Sequence, residues 1–166
     1  MAAAQRTSLP RPPKTFTDRE ERTISIREYD GQLEPLQEMY AHFDDDSRTQ
    51  GLPPRSENRT VEWLSDLLEE GLNVVARHEG DVVGHAVLIP YDSTSELAIF
   101  VRPAYQSAGI GTHLIGCLLG HGQANGLTRV WLTVARTNRI AMNLYRSAGF
   151  EITERDRGEY EMERAL

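Results

Sequence analysis

The stretch "VRPAYQSAGIGTHLIG", residues 101–116, places Gly109 and Gly111 between an apolar run and a run with helical character. Glycines at such a junction let backbone amides approach an anion at a helix N-terminus, where the helix dipole adds roughly half a positive charge. Two common phosphate turns do not fit. The dinucleotide fingerprint needs a third small residue, and Leu114 stands there. A P-loop needs Lys and a hydroxyl after Gly116, where the chain has Cys117 and Leu118. What remains is Gln106-Ser107-Ala108-Gly109-Ile110-Gly111, a Q-x-x-G-x-G turn directly after a strand.

Composition narrows the chemistry further. The chain has 166 residues, 39% of them hydrophobic and 26% charged, which suits one globular domain. Cys117 is the single cysteine, so it excludes an intramolecular disulfide and a thiolate zinc cluster, and it reads as a small buried helix residue. His42, His78, His85, His113 and His121 show no metal-site spacing, so no metal is expected. A net charge of −7 speaks against nucleic acid as a partner and favours cationic or amine partners. The basic residues are 17 Arg and one Lys. Since Lys14 lies in a Pro-rich segment, Schiff-base chemistry is excluded. No apolar run is long enough to span a membrane, and the N-terminus lacks a signal-peptide core, so a cytoplasmic protein is expected.

The elements that must position the turn follow from periodicity. Residues 1–14, with Pro10, Pro12 and Pro13, are expected to form a flexible arm, and 15–166 a single domain. "TFTDREERTISIREY" reads as two short extended pieces. "DGQLEPLQEMYAHF" carries Leu33, Leu36, Tyr40 and Phe43 on one helical face. "ENRTVEWLSDLLEEG" is a second helix with a Val61, Leu64, Leu67, Leu68 stripe, stopped at Gly71. Two apolar strands then flank "EGD", a hairpin signal. Residues 96–135 form a strand–helix–strand unit whose strands must be parallel, joined by a right-handed crossover. A helix over "NRIAMNLYRSAG" and two closing strands complete the order. The fold expected is a mixed α/β domain with a mostly antiparallel sheet of about six to seven strands, one parallel pair, and helices on both faces. Ligands in such sheets favour the carboxyl ends of parallel strands.

The Q-x-x-G-x-G turn resembles the pyrophosphate signature of the GNAT superfamily of acetyl-CoA-dependent N-acetyltransferases. "NRIAMNLYRSAGFE" is similar to that family's second signature, with Asn138, Ala141, Leu144, Tyr145, Gly149 and Phe150 in register. Both motifs in order, separated by a strand, extend the resemblance over about residues 20–162. It implies acetyl-CoA as co-substrate and direct attack by a primary amine in a ternary complex.

Carried over residue by residue, the resemblance assigns the backbone of Ile99, Phe100 and Val101 to the pantetheine arm. Gln106, Ser107, Ala108, Gly109, Ile110, Gly111 and Thr112 fall to the pyrophosphate. A backbone donor near Ile99 or Phe100 would serve the developing oxyanion. Tyr145 takes the position of the general acid, and Glu96 that of a general base. Asn138 either bonds the cofactor or caps its helix. A base is useful because a lysine-like amine with pKa near 10.4 is neutral in about one molecule in 2,500 at pH 7, a cost of about 4.6 kcal/mol. The acceptor side is implied to be shaped by "HFDDDSRTQGLPPRS", where Asp44, Asp45 and Asp46 either attract a cation or form a solvated loop. A small-molecule or peptide amine fits as acceptor, and a homodimer is one arrangement the resemblance allows. A non-catalytic acyl-CoA-binding module on the same fold is the alternative reading. Gly116 and Gly120 read as close-packing positions on the intervening helix.

Overall fold

The computed structural model describes residues 9–166. Alternating apolar residues in the first strands, β1 (Lys14–Thr17) and β2 (Thr23–Glu28), put Ile24 and Ile26 fully into the core. Helices α1 (Leu33–Tyr40) and α2 (Glu57–Glu70) follow, then the hairpin β3 (Leu72–His78) and β4 (Asp81–Tyr91). Its turn is "EGD" as expected, with Glu79 and Gly80 both at positive φ, the conformation a two-residue hairpin needs. β5 (Thr94–Val101), α3 (Ile110–Ala124) and β6 (Arg129–Ala135) form the crossover unit, followed by α4 (Arg139–Ser147), β7 (Glu151–Arg155) and β8 (Glu159–Ala165).

One eight-stranded sheet results, in the order β1-β2-β3-β4-β5-β6-β8-β7. All neighbours are antiparallel except β5 and β6. The strand count exceeds the expected six to seven because both short N-terminal pieces and both C-terminal ones join the same sheet. α3 and α4 cover one face, packing Leu114, Leu118, Met142 and Tyr145 on Ile24, Val74, Leu132 and Met162. α1 and α2 cover the other, where Leu36, Met39, Tyr40 and Leu64 meet Val75, Val82 and Phe100. Beneath α1, Tyr40 Oη lies 2.6 Å from His85 Nδ1, and His85 Nε2 lies 2.7 Å from Asn73 Oδ1. Asn73 donates its amide protons to the Leu67 and Gly71 carbonyls, so His85 Nε2 must be the donor and Tyr40 must donate to Nδ1.

Two details depart from local expectation. Gly71 ends α2 at φ −102, in extended backbone rather than the left-handed region. Glycine is needed there for close approach: a Cβ would lie 2.5 Å from Val87 Cγ2 and 2.8 Å from the Leu67 carbonyl. Residues 1–8 of the expected arm lie outside the described residues. Its remainder is packed: Leu9 contacts the core, Pro10 runs against α3, and Lys14 opens β1. Gly116 and Gly120 make this contact fit, since a Cβ on Gly116 would sit 3.3 Å from the Pro10 ring and one on Gly120 would overlap the Pro10 carbonyl.

Candidate active site

The parallel pair is joined at two positions only, Ser95 with Val130 and Glu96 with Trp131. Beyond them β5 and β6 part, while β5 stays fully paired to β4 up to Val101. Arg102 donates its N–H to the Val83 carbonyl, whereas the Val101 carbonyl accepts from Gln106 Nε2 at 3.0 Å. Strand alternation therefore turns the peptide groups of Ile99 and Val101 toward the gap and those of Phe100 toward β4. The Phe100 side chain is 8% exposed and anchors an aromatic cluster with Tyr40, Phe43 and Trp63.

A cleft of about 810 Å³ opens at the parted ends, and Ile99, Phe100, Val101 and Tyr145 are among the residues lining it. Gln106, Ser107, Gly109, Ile110, Gly111 and Thr112 line its upper end. Gly109 is the N-cap of α3 at φ +91, a left-handed conformation in which a β-carbon is strained. The first amides of α3 have no partner inside the helix and face an anion approaching along its axis. Gly111 has a second reason to lack a side chain: a Cβ there would press on Leu144 Cδ2 of α4 at 3.3 Å. Ala108 and the side chain of Ile110 are buried and hold the turn to the core. Among the described residues, a narrow arm carrying phosphates at one end fits this shape: unpaired strand edges below, helix amides above.

Tyr145 projects from α4 into the same cleft. Its ring packs on Phe150 at 6.2 Å between centroids, and no protein group hydrogen-bonds its hydroxyl among the described residues. Burial pushes its pKa up to about 12, so it is protonated at neutral pH. Asn138 caps α4, its Oδ1 accepting from the Ala141 N–H at 3.1 Å, and also lines the cleft. Glu96 stands apart. It sits where β5 and β6 are still paired, on the face shared with Ala98 and Phe100, and is not among the cleft-lining residues. Partial burial raises its carboxyl pKa.

The opposite wall is the segment after α1. Asp44 is occupied as a cap, accepting from the Ser47 N–H at 2.9 Å, and Asp45 lies 3.5 Å from both Arg48 and Arg55. Asp46 alone of the three lines the cleft. The wall reaches the far side of the sheet through Gln50 Nε2, which donates to Glu159 at 2.6 Å. Gln50, Glu159 and Arg19 were not among the residues expected from sequence, because each is distant in the chain from the motifs it joins. Among the described residues, no helix is long and apolar enough to cross a membrane, and no group of three or more His, Cys, Asp or Glu gathers for a metal.

Residues 36–150 match the model of the acetyltransferase (GNAT) family. An uncharacterised N-acetyltransferase of Mycobacterium tuberculosis is 35% identical over 99 residues, 58% of this chain and 62% of that protein. The [ribosomal protein bS18]-alanine N-acetyltransferase of Escherichia coli is 30% identical over 89 residues, 53% of this chain and 60% of that enzyme. Each match thus spans somewhat under two thirds of the relative's length. The PaiA N-acetyltransferase of Thermoplasma acidophilum, solved in complex with coenzyme A, superposes with a TM-score of 0.69 at 19% identity, covering 86% of this chain and 99% of that one. With the family model spanning residues 36–150, most of the chain, the chain belongs to the GNAT acetyltransferase family.

Proposed function

We propose that the protein is an acetyl-CoA-dependent N-acetyltransferase acting on a primary amine by direct transfer in a ternary complex. The observation that carries this reading is the Tyr145 hydroxyl, open to the cleft and without a protein partner among the described residues, where the parted strands meet the α3 N-terminus. Bound there, acetyl-CoA would supply an acetyl group activated as a thioester. The α3 amides and the Gln106–Thr112 turn would hold its phosphates. The peptide groups of Ile99 and Val101 would align the pantetheine arm as an added strand, and a backbone donor beside them would polarise the carbonyl. Tyr145 directs its proton at the leaving sulfur. Glu96 takes the amine proton through water, since strand spacing sets it roughly 13 Å along β5 from Phe100. Partial burial raises its pKa, which makes it a stronger base than an exposed carboxylate. The amine enters past Asp46 and the Gln50–Glu159 contact, a wall acidic enough to favour a cationic acceptor, whether a small amine or a peptide N-terminus.

The test is thiol release from acetyl-CoA across a panel of peptides with free N-termini, polyamines, aminoglycosides and amino acids, with a cofactor-only control. Amine-dependent release supports the reading. Tight acetyl-CoA binding with no release across the panel would overturn it in favour of a non-catalytic acyl-CoA-binding module.

A further inference from the structure

Coenzyme A is strongly anionic, yet the turn proposed to hold its phosphates contains no cation between Gln106 and Thr112. The chain as a whole carries a net charge of −7, so its general field does not attract such a ligand. Helix amides supply partial charges only, which makes the source of a full positive charge a structural question. Two cations line the cleft, Arg19 and Arg48. Arg48 belongs to the acceptor-side wall and is committed, with Nε donating to the Pro53 carbonyl at 3.0 Å and Nη1 3.5 Å from Asp45.

Arg19 belongs to the phosphate end. It sits in the turn between β1 and β2, 89 residues before Ala108 in the chain, and its N–H donates to the Ala108 carbonyl at 3.0 Å. Its Nε lies 3.7 Å from the point a Cβ on Gly109 would occupy, beside the α3 N-cap. The turn that carries it is rigidly built. Asp18 is 7% exposed and accepts from the N–H groups of Glu20 and Arg22 and from Arg22 Nε at 2.8 Å. Phe16 of β1 stacks on His113 of α3 with ring centroids 3.8 Å apart, fixing the hairpin to the first turns of that helix. Arg22, the other arginine of the turn, is spent on Asp18 and on the Tyr105 ring. The Arg19 guanidinium has no ion pair and no side-chain hydrogen bond among the described residues, and it is exposed to the cleft mouth.

We propose that Arg19 is a phosphate-binding residue, contributed by the N-terminal hairpin to the pyrophosphate of coenzyme A. The inference rests on the cofactor site proposed above and adds a residue that neither signature contains. It also assigns a purpose to the hairpin: through the Arg19–Ala108 backbone bond it holds the turn in shape and delivers the charge.

Titration calorimetry of the full chain with coenzyme A and with 3′-dephospho-coenzyme A tests it without reference to turnover. An exposed charge-assisted contact predicts that Arg19→Gln raises Kd roughly tenfold for both ligands, with Arg19→Lys recovering part of the loss. The salt dependence of Kd should flatten in Arg19→Gln. Arg27→Gln removes an equal charge away from the cleft and should leave Kd within about twofold. The melting temperature of ligand-free Arg19→Gln should match wild type, since its side chain holds nothing else. Unchanged Kd in Arg19→Gln overturns the inference, as does a loss seen with coenzyme A but absent with the dephospho form, which would move the contact to the 3′-phosphate. Failure of the wild-type chain to bind either ligand is a different result, and it overturns the cofactor site itself.

Discussion

Replacing Tyr145 by Phe removes one oxygen from the cleft and little else. Within the described residues that hydroxyl holds no protein partner, while the ring keeps its contact with Phe150. Stability should therefore change by less than about 0.5 kcal/mol. The effect on rate follows from the group's acidity. With a pKa of about 12, Tyr145 is a weaker acid than an ordinary thiol near 8.5, so complete proton transfer to a departing thiolate is uphill by about 3.5 units, on the order of 5 kcal/mol. In the proposed reaction Tyr145 would thus act chiefly as a hydrogen-bond donor to charge developing on sulfur, and the proton balance would close through the base side. A hydrogen bond to a charged group contributes about 1.5–3 kcal/mol, which predicts a roughly 10- to 150-fold fall in kcat for Tyr145→Phe. That is smaller than the loss of a full general acid.

The assay is thiol release under saturating acetyl-CoA with the best amine of the panel, run from pH 6 to pH 10 on both proteins. Because burial keeps the hydroxyl protonated across that whole range, the ratio of the two kcat values should stay constant with pH. Affinity for acetyl-CoA, measured by titration, should move less than about twofold. An unchanged kcat refutes the role. A ratio that collapses toward one above pH 9 refutes the raised pKa, and a loss carried wholly by cofactor affinity makes Tyr145 a binding residue instead.

His85 is buried and neutral, its pKa lowered to about 3, so its contribution is full above 6.5 and is lost as pH falls from 6.5 toward 3. Urea unfolding should show about 2 kcal/mol lost to this group between pH 7 and pH 5, a loss that His85→Gln should lack. Asn138→Ala should cost about 1 kcal/mol of stability through the lost cap, with coenzyme A affinity nearly kept; a large affinity loss at full stability would show that Asn138 serves the ligand instead. Gly71→Ala should cost about 1–3 kcal/mol in chemical denaturation, because its Cβ meets Val87 and the Leu67 carbonyl; an unchanged midpoint would mean that β4 yields.

The features read correctly from sequence are those encoded over short distances. The glycine turn, the "EGD" hairpin and the helix stripes each lie within about fifteen residues, and local pattern reports them. What pattern missed is made by pairs remote in sequence: Arg19 with Ala108, Gln50 with Glu159, Pro10 with Gly120, and Tyr40 with His85 and Asn73. One of these left a trace in composition, since a turn proposed to hold phosphates but devoid of Lys and Arg would need its charge from elsewhere. Gly71 shows a subtler mismatch. Its position as the helix stop was legible, but its reason lies in a strand that packs across it.

The parting of β5 and β6 is the feature periodicity could least reveal. Leu97, Ile99 and Val101 alternate into the core on one strand, as do Val130, Leu132 and Val134 on the other, just as they would if the ladder continued. β5 makes eight paired positions with β4 and β6 makes seven with β8, against two between β5 and β6 themselves. Side-chain pattern reports which face of a sheet is buried, and both strands bury the same face whether or not they touch. The separation is instead a matter of backbone groups, and every residue has those. Of the peptide groups that Ile99 and Val101 turn to the gap, the Val101 carbonyl is taken by Gln106 Nε2, and the others cost the sheet part of its ladder, a loss offset when solvent or an extended ligand satisfies them. Under the proposed function these missing hydrogen bonds are the site: a chain-like ligand with its own amides, laid between β5 and β6, would complete the ladder that the two strands leave open.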